Sequence, residues 1–200
     1  PTITTSYTAT VTDLYGCSAA SSSVTVTVSP LDGGVIASTK NSVCTGSVPA
    51  AMTSSSPASG GTGATVDYSY QWQISTTSNA TGFTDIPTFT ATTFTPTQTA
   101  NTTTYFRRKV TNLGIVAYSN VLTFSVNALP TVTATASPAS VVSGGTTTLS
   151  AAGASTYAWT GASLVTNNTS SVTANPTAQT TFTVTGTDAN GCVNTATVTV

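Results

Sequence analysis

The stretch Pro176-Thr-Ala-Gln-Thr-Thr-Phe-Thr-Val-Thr-Gly-Thr-Asp-Ala-Asn-Gly-Cys192 is a second version of the first seventeen residues, Pro1-Thr-Ile-Thr-Thr-Ser-Tyr-Thr-Ala-Thr-Val-Thr-Asp-Leu-Tyr-Gly-Cys17. One ungapped shift lays Pro1 on Pro176, Tyr7 on Phe182, Asp13 on Asp188, Gly16 on Gly191 and Cys17 on Cys192. Each copy then runs into alternating valines and threonines, Val24-Thr-Val-Thr-Val28 and Thr197-Val-Thr-Val200. Self-similarity of this kind marks an array of small repeated units and argues against one large domain.

Within each unit the period is two. Tyr7, Ala9 and Val11 alternate with threonines, as in a strand with one buried face. Asp13-Leu-Tyr-Gly16 reads as a turn and Val24–Val28 as the returning strand. A lone hairpin is marginal in water, so residues 1–28 are expected to be the last two strands of an incomplete unit. Ser29-Pro-Leu31 reads as a linker before a second unit at 31–128. Asn127-Ala-Leu-Pro130 is the linker before a third at 129–200. In the second unit Ser54 to Gly63 reads as a loop, Tyr68–Ile74 as a strong strand, and Tyr105–Val110 and Val121–Val126 as the closing strands. In the third, Tyr157-Ala-Trp159 matches Tyr70-Gln-Trp72. No helical periodicity appears, and β-branched residues dominate. Short strands, turns every 8–12 residues and a mid-unit tryptophan point to an all-β chain of tandem immunoglobulin-like β-sandwiches. The proline-bearing linkers restrict the backbone and predict an extended array, which small-angle scattering would test.

Charged residues make up only 4% of the 200, with no histidine and a net charge of −1. A typical soluble domain has about 25% charge. The charges are Lys40, Arg107, Arg108, Lys109 and five aspartates, Asp13, Asp32, Asp67, Asp85 and Asp188. Nucleic acid is not an expected partner, because there is no basic surface to neutralise phosphates. Membrane insertion is not expected either, because no run approaches about 18 apolar residues. With neither histidine nor glutamate, the common general bases are missing. Scattered aspartates offer no carboxylate pair for glycoside hydrolysis. The expectation is no enzyme, no catalytic residue, no metal and no cofactor. Pro1 starts in mid-repeat, so the chain reads as a piece of something longer.

Tyr70-Gln-Trp72, Thr104-Tyr-Phe-Arg-Arg-Lys-Val110, Tyr118-Ser-Asn120, Tyr157-Ala-Trp159 and Phe182–Cys192 together resemble the Ig-like and PKD-like repeats of very large surface proteins in gliding and related Bacteroidetes. The resemblance covers the whole chain. It implies export by the type 9 secretion system, an extracellular, cell-surface location and a role in adhesion, as in the giant gliding adhesins. It also implies neighbouring repeats as the partners, with surface polysaccharide bound through other regions. The same repeats decorate secreted polysaccharide-degrading proteins, so a carbohydrate-binding accessory module is the alternative to a structural stalk. Proteins of this type often join a Cys-x-Gly cysteine to the cysteine of an Asn-Gly-Cys turn. Here the second unit keeps Cys44 but has Ile115 at the other place, and the third keeps Cys192 but has Val142. With each pair half lost, no disulfide is expected among Cys17, Cys44 and Cys192.

Several residues have two readings. Asp188-Ala-Asn-Gly191 resembles part of a calcium loop, but such loops need several oxygen ligands together, and a turn needs just these residues. Tyr68, Tyr70, Trp72, Tyr157 and Trp159 could stack on sugars. Alternation sets Tyr70 with Trp72 and Tyr157 with Trp159, most simply toward the core. Tyr15 and Tyr118 are the better candidates for exposed contacts. Lys40 and Lys109 lack the neighbouring acid of an isopeptide bond. Four Asn-x-Thr/Ser matches carry no information in a chain so rich in hydroxyls.

Trp72, Trp159, Phe106, Phe182 and Tyr7 are therefore expected as structural residues, and Arg108 joins them by register. Laying Phe106 on Tyr7 sets Arg108 on Ala9 and Val184, positions that face inward. An inward guanidinium needs acceptors and a ring to lie on. Trp72 is the expected ring, with Asp67, Asp85 or loop carbonyls as acceptors. Arg107 and Lys109 should point to solvent, so that Arg107→Ala costs little. The alternative is a bulge that reverses the parity and leaves Arg108 in water.

Overall fold

The computed structural model describes residues 3–61 and 67–200. The chain is all-β, with no helix among the described residues. It divides into two compact units. The first gathers Pro1–Asn41, Pro49–Gln98 and Thr103–Phe124, and the second gathers Ser42–Val48, Thr99–Thr102 and Ser125–Val200.

In the second unit two three-stranded sheets face each other. One joins Thr133–Ser137, Thr147–Ala152 and Ser171–Ala174, and the other joins Thr156–Thr160, Thr181–Thr187 and Val193–Thr199. Strand Thr181–Thr187 shows why this sequence makes a sandwich. Phe182, Val184 and Gly186 are buried, and the threonines between them are not. Phe182, Val184 and Trp159 meet Leu149, Val172 and Ala174 of the opposite sheet in one apolar core. Val43 is buried as well, in the strand Ser42–Cys44, which pairs in parallel with Ser125–Asn127.

In the first unit the central strands are Ser69–Ser75 and Thr104–Asn112, antiparallel from Ser69 opposite Thr111 to Ser75 opposite Tyr105. Thr84–Asp85 flanks the former. Ile115–Tyr118 and then Leu122–Phe124 flank the latter. Val35–Ser38 pairs with Met52–Ser56. The core is Ile36, Met52, Trp72, Phe94, Phe106, Leu122 and Phe124. Burying a large aromatic or aliphatic side chain is worth about 1.5–3 kcal/mol, so these seven side chains dominate the unit's stability.

Two local expectations are corrected. Ser29-Pro-Leu31 is not a linker: Ser29–Asp32 is a strand paired with Ser59–Gly61 across an irregular register. The expected loop at 54–63 is largely strand, in Met52–Ser56 and Ser59–Gly61, and residues 62 and 63 lie outside the described residues. Serine and glycine made these segments look like loop, whereas backbone pairing with a neighbour needs no apolar side chain.

Residues 5–26 form a hairpin of two short ladders, Thr5–Tyr7 with Val24–Val26 and Thr10–Thr12 with Ser18–Ala20. Tyr7, expected as a structural aromatic, is 50% exposed. Its counterpart Phe182 is fully buried, because there a second sheet covers the ring.

Candidate functional site

Strand Thr104–Asn112 alternates without a break. Thr104, Phe106, Arg108, Val110 and Asn112 are buried, and the residues between them are half-buried. No bulge interrupts its ladder with Ser69–Ser75, which sets Arg108 directly opposite Trp72. The Arg108 side chain has no solvent exposure. Its Nη1 donates to the Thr92 carbonyl at 2.9 Å and its Nη2 to the Gly33 carbonyl at 3.1 Å. The guanidinium carbon lies 4.8 Å from the centre of the Tyr70 ring. Nε is buried without a hydrogen-bond partner among the described residues.

The ring under Arg108 is thus Tyr70 and not Trp72, and the acceptors are carbonyls and neither Asp67 nor Asp85. The reason is geometric. Directly paired side chains stand beside each other, while the diagonal neighbour two residues along lies within reach of a long side chain. Trp72 turns instead toward Phe94, with ring centres 5.4 Å apart, and its Nε1 donates to the Ala91 carbonyl at 2.9 Å. Gly33 is required where it stands, since a Cβ there would lie 2.2 Å from the Tyr118 carbonyl carbon. Desolvation pulls the Arg108 guanidinium below its ordinary pKa, and Tyr70 pulls the other way. Both η nitrogens are bonded to backbone carbonyls and the side chain is fully buried, so Arg108 ties distant segments together and turns none of its remaining N–H donors to solvent.

Arg107 is also not as expected. Its guanidinium is clamped between the rings of Phe83, at 4.0 Å, and Tyr118, at 3.9 Å. Its Nε donates to Gln73 Oε1 at 2.7 Å, and Gln73 Nε2 donates to Asp85 Oδ1 at 2.7 Å. The parity argument correctly sends it outward, but aromatic neighbours on the same face hold it against the sheet.

The aromatic residues weighed as a sugar platform are internal or engaged. Trp72 and Trp159 are buried, Tyr68 donates its hydroxyl to the Gly60 carbonyl at 2.8 Å, and Tyr157 donates to the Ala154 carbonyl at 2.8 Å. Phe106 and Phe182 lie in the two cores. Tyr15 and Tyr118 are exposed.

The two copies of the repeated turn agree bond for bond. Asp13 N donates to Cys17 O and Asp188 N to Cys192 O, both at 2.9 Å, while Gly16 N and Gly191 N return to the aspartate carbonyls, both at 3.1 Å. Cys17 N donates to Asp13 Oδ1 and Cys192 N to Asp188 Oδ1, both at 2.8 Å. Each aspartate is occupied in shaping its own turn, with φ of 86° at Gly16 and 80° at Gly191 supplying the left-handed residue.

The cysteines at the ends of these turns differ. Cys192 is buried and forms a disulfide with Cys44, 148 residues away, with Cα atoms 5.5 Å apart. Cys17 is a free, exposed thiol. The expectation of no disulfide is corrected on this point. It considered partners only within one stretch, 31–128 or 129–200, whereas the bond joins Cys44 of the former to Cys192 of the latter. The signal was in the sequence: the second repeat lost one half of the pair and the third lost the other. Both cysteines belong to the second compact unit, since Ser42–Val48 falls in it.

Residues 32–128 match a family described as a domain of unknown function (DUF8696). No curated protein matches the chain. Among solved structures, the crystal structure of murine CEACAM1b matches with a TM-score of 0.34 and 10% identity, over 83% of this chain and 98% of that one.

Proposed function

We propose that this chain is a spacer segment of a large bacterial cell-surface adhesin, holding a distal adhesive region away from the cell, with no enzymatic activity of its own. The observation that carries the reading is the Cys44–Cys192 disulfide across 148 residues. Disulfides persist in oxidising compartments outside the cytosol. One that spans most of the chain limits how far the polypeptide can be drawn out. At about 3.4 Å per residue, the bond withholds about 500 Å of extension from a pulling force. The hydroxyl-rich, nearly uncharged surface fits a segment that binds little by itself. Together with the sequence resemblance, this favours a Bacteroidetes protein exported by the type 9 system and used for attachment or gliding, with neighbouring repeats as its contacts.

Replacing these residues with an unrelated extracellular spacer of equal length tests the reading. Attachment should survive the replacement and fail when the segment is simply deleted. Loss of attachment on replacement would mean that the segment binds something itself. A second reading, a carbohydrate-binding module, is favoured only by the outward stack of Phe83, Arg107 and Tyr118. Retention on a glycan array that is abolished by Tyr118→Ala would establish it in place of the spacer.

A further inference from the structure

We propose that the outward face of the sheet around Arg107 binds a polyuronate, an acidic polysaccharide. A sugar carboxylate meets the edge of the Arg107 guanidinium while the sugar ring lies on Tyr118. Such binding rests on the carbohydrate-binding reading of this chain and gives that reading its class of sugar.

Two rows of side chains cross this face. Asp85, Gln73 and Arg107 are paired in succession across three strands, and so are Gln71, Lys109 and Tyr118. Directly paired residues share a face of the sheet. The first row is held by its own hydrogen bonds, from Arg107 Nε to Gln73 and from Gln73 to Asp85. The rings of Phe83 and Tyr118, at 4.0 and 3.9 Å, fix the guanidinium further. What is left of Arg107 is the edge carrying its two η nitrogens, which have no acceptor among the described residues. Arg108 Nε is the only buried side-chain nitrogen or oxygen without a partner among those residues, so the η nitrogens of Arg107 reach solvent. Two parallel N–H groups at this edge match the two oxygens of a carboxylate. The fork is held before any ligand arrives, so little side-chain entropy is lost on binding.

Charge selects an anion. Arg107 bonds an amide oxygen and Arg108 bonds two carbonyls, so neither cation meets a carboxylate in those bonds. Lys109 follows at the next outward position. Three of the chain's four cations thus stand on consecutive residues, in a chain of net charge −1. Beside the donors, Tyr118 is 45% exposed and offers an apolar ring on which the C–H face of a pyranose packs. A peptide carboxylate has the charge without that face, and a neutral sugar has the face without the charge. A polyuronate carries both on every residue, and the face of a sheet lets a polymer lie across several strands.

The test is frontal affinity chromatography of the whole 200-residue chain on columns carrying polygalacturonate, its carboxyl-reduced form, dextran sulfate or polyglutamate. Polygalacturonate alone should retain the chain, and about 1 M salt, which shortens the screening length to about 3 Å, should release it. Arg107→Gln should weaken retention about tenfold or more, the loss expected for charge-assisted hydrogen bonds. Lys40→Ala should leave retention unchanged. Arg107→Lys keeps the charge against the two rings but not the fork, and should also bind less tightly than the parent. Near-ultraviolet circular dichroism shows whether each variant is folded, and Arg107→Lys carries the test if Arg107→Gln is not. Equal retention by the carboxyl-reduced polymer overturns the acidic class and leaves the carbohydrate-binding reading standing. Equal retention by dextran sulfate or polyglutamate, or undiminished binding by a folded Arg107 variant, overturns the contact proposed for Arg107. Passage through all four columns without delay overturns the carbohydrate-binding reading as well.

Discussion

Trp72 and Trp159 stand at the same place in two sandwiches, and the residues paired with them differ. Both indoles are buried, and each Nε1 donates to a backbone carbonyl further along the chain, Ala91 at 2.9 Å and Thr169 at 3.1 Å. Trp159 is paired with Val184, whereas Trp72 is paired with Arg108. One sandwich closes with an apolar side chain at this position. The other buries a cation there, because Thr92, Gly33 and Tyr70 supply two carbonyls and a ring around it. An inward position on a strand thus does not demand an apolar residue. It demands that whatever is inward be satisfied.

The sharpest way to break this comparison is to move the cation. Val184→Arg puts a guanidinium where no carbonyls have been arranged for it and should cost about 5 kcal/mol or more, the penalty of an uncompensated buried charge. Near-ultraviolet circular dichroism from Trp159 should collapse. A variant that melts within a degree or two of the parent would show that the acceptors around Arg108 are not what makes it tolerable.

Next in size is the reverse change. Arg108→Ala leaves a cavity, two orphaned carbonyls and an uncovered Tyr70 ring, and should destabilise the first sandwich by about 3–5 kcal/mol in urea unfolding. Arg108→Met, which refills most of the volume, should recover part of that loss. Equal losses for the two variants would assign the effect to the lost hydrogen bonds alone.

Breaking the Cys44–Cys192 disulfide by Cys192→Ser should lower stability by about 2–4 kcal/mol. Cys44→Ser should give the same loss, and the double variant no more. A denaturation midpoint that ignores all three changes would mean that the bond adds no constraint.

The smallest effect belongs to the neighbour of Arg108. Arg107→Ala removes the clamp between Phe83 and Tyr118 and should cost about 1 kcal/mol, the range of a partly exposed cation–π contact. A loss as large as that of Arg108→Ala would erase the distinction between the inward and outward faces of the strand.

Much of this was legible in the sequence. Period-two alternation along Thr104–Asn112 sends Arg108 in and Arg107 out, because parity in a strand is a local property of the backbone. The mid-unit tryptophans and the repeated turn belong to the same level, since the residues that shape them are close together in the chain. The strands Ser29–Asp32 and Ser59–Gly61 were not legible, because their pairing is backbone to backbone between segments whose side chains advertise loop.

What the sequence determined by itself is the β class, the repeated turn and the alternation of faces along strands such as Thr104–Asn112 and Thr181–Thr187, all carried by spacing over a few residues. Only the tertiary structure decided what each inward group meets: Tyr70 under Arg108 in place of Trp72, the carbonyls of Gly33 and Thr92 as its acceptors, and Cys44 as the partner of Cys192. These are contacts between residues far apart in the chain. Their selection depends on which segments folding brings within a few ångströms of each other, and local periodicity carries no record of that.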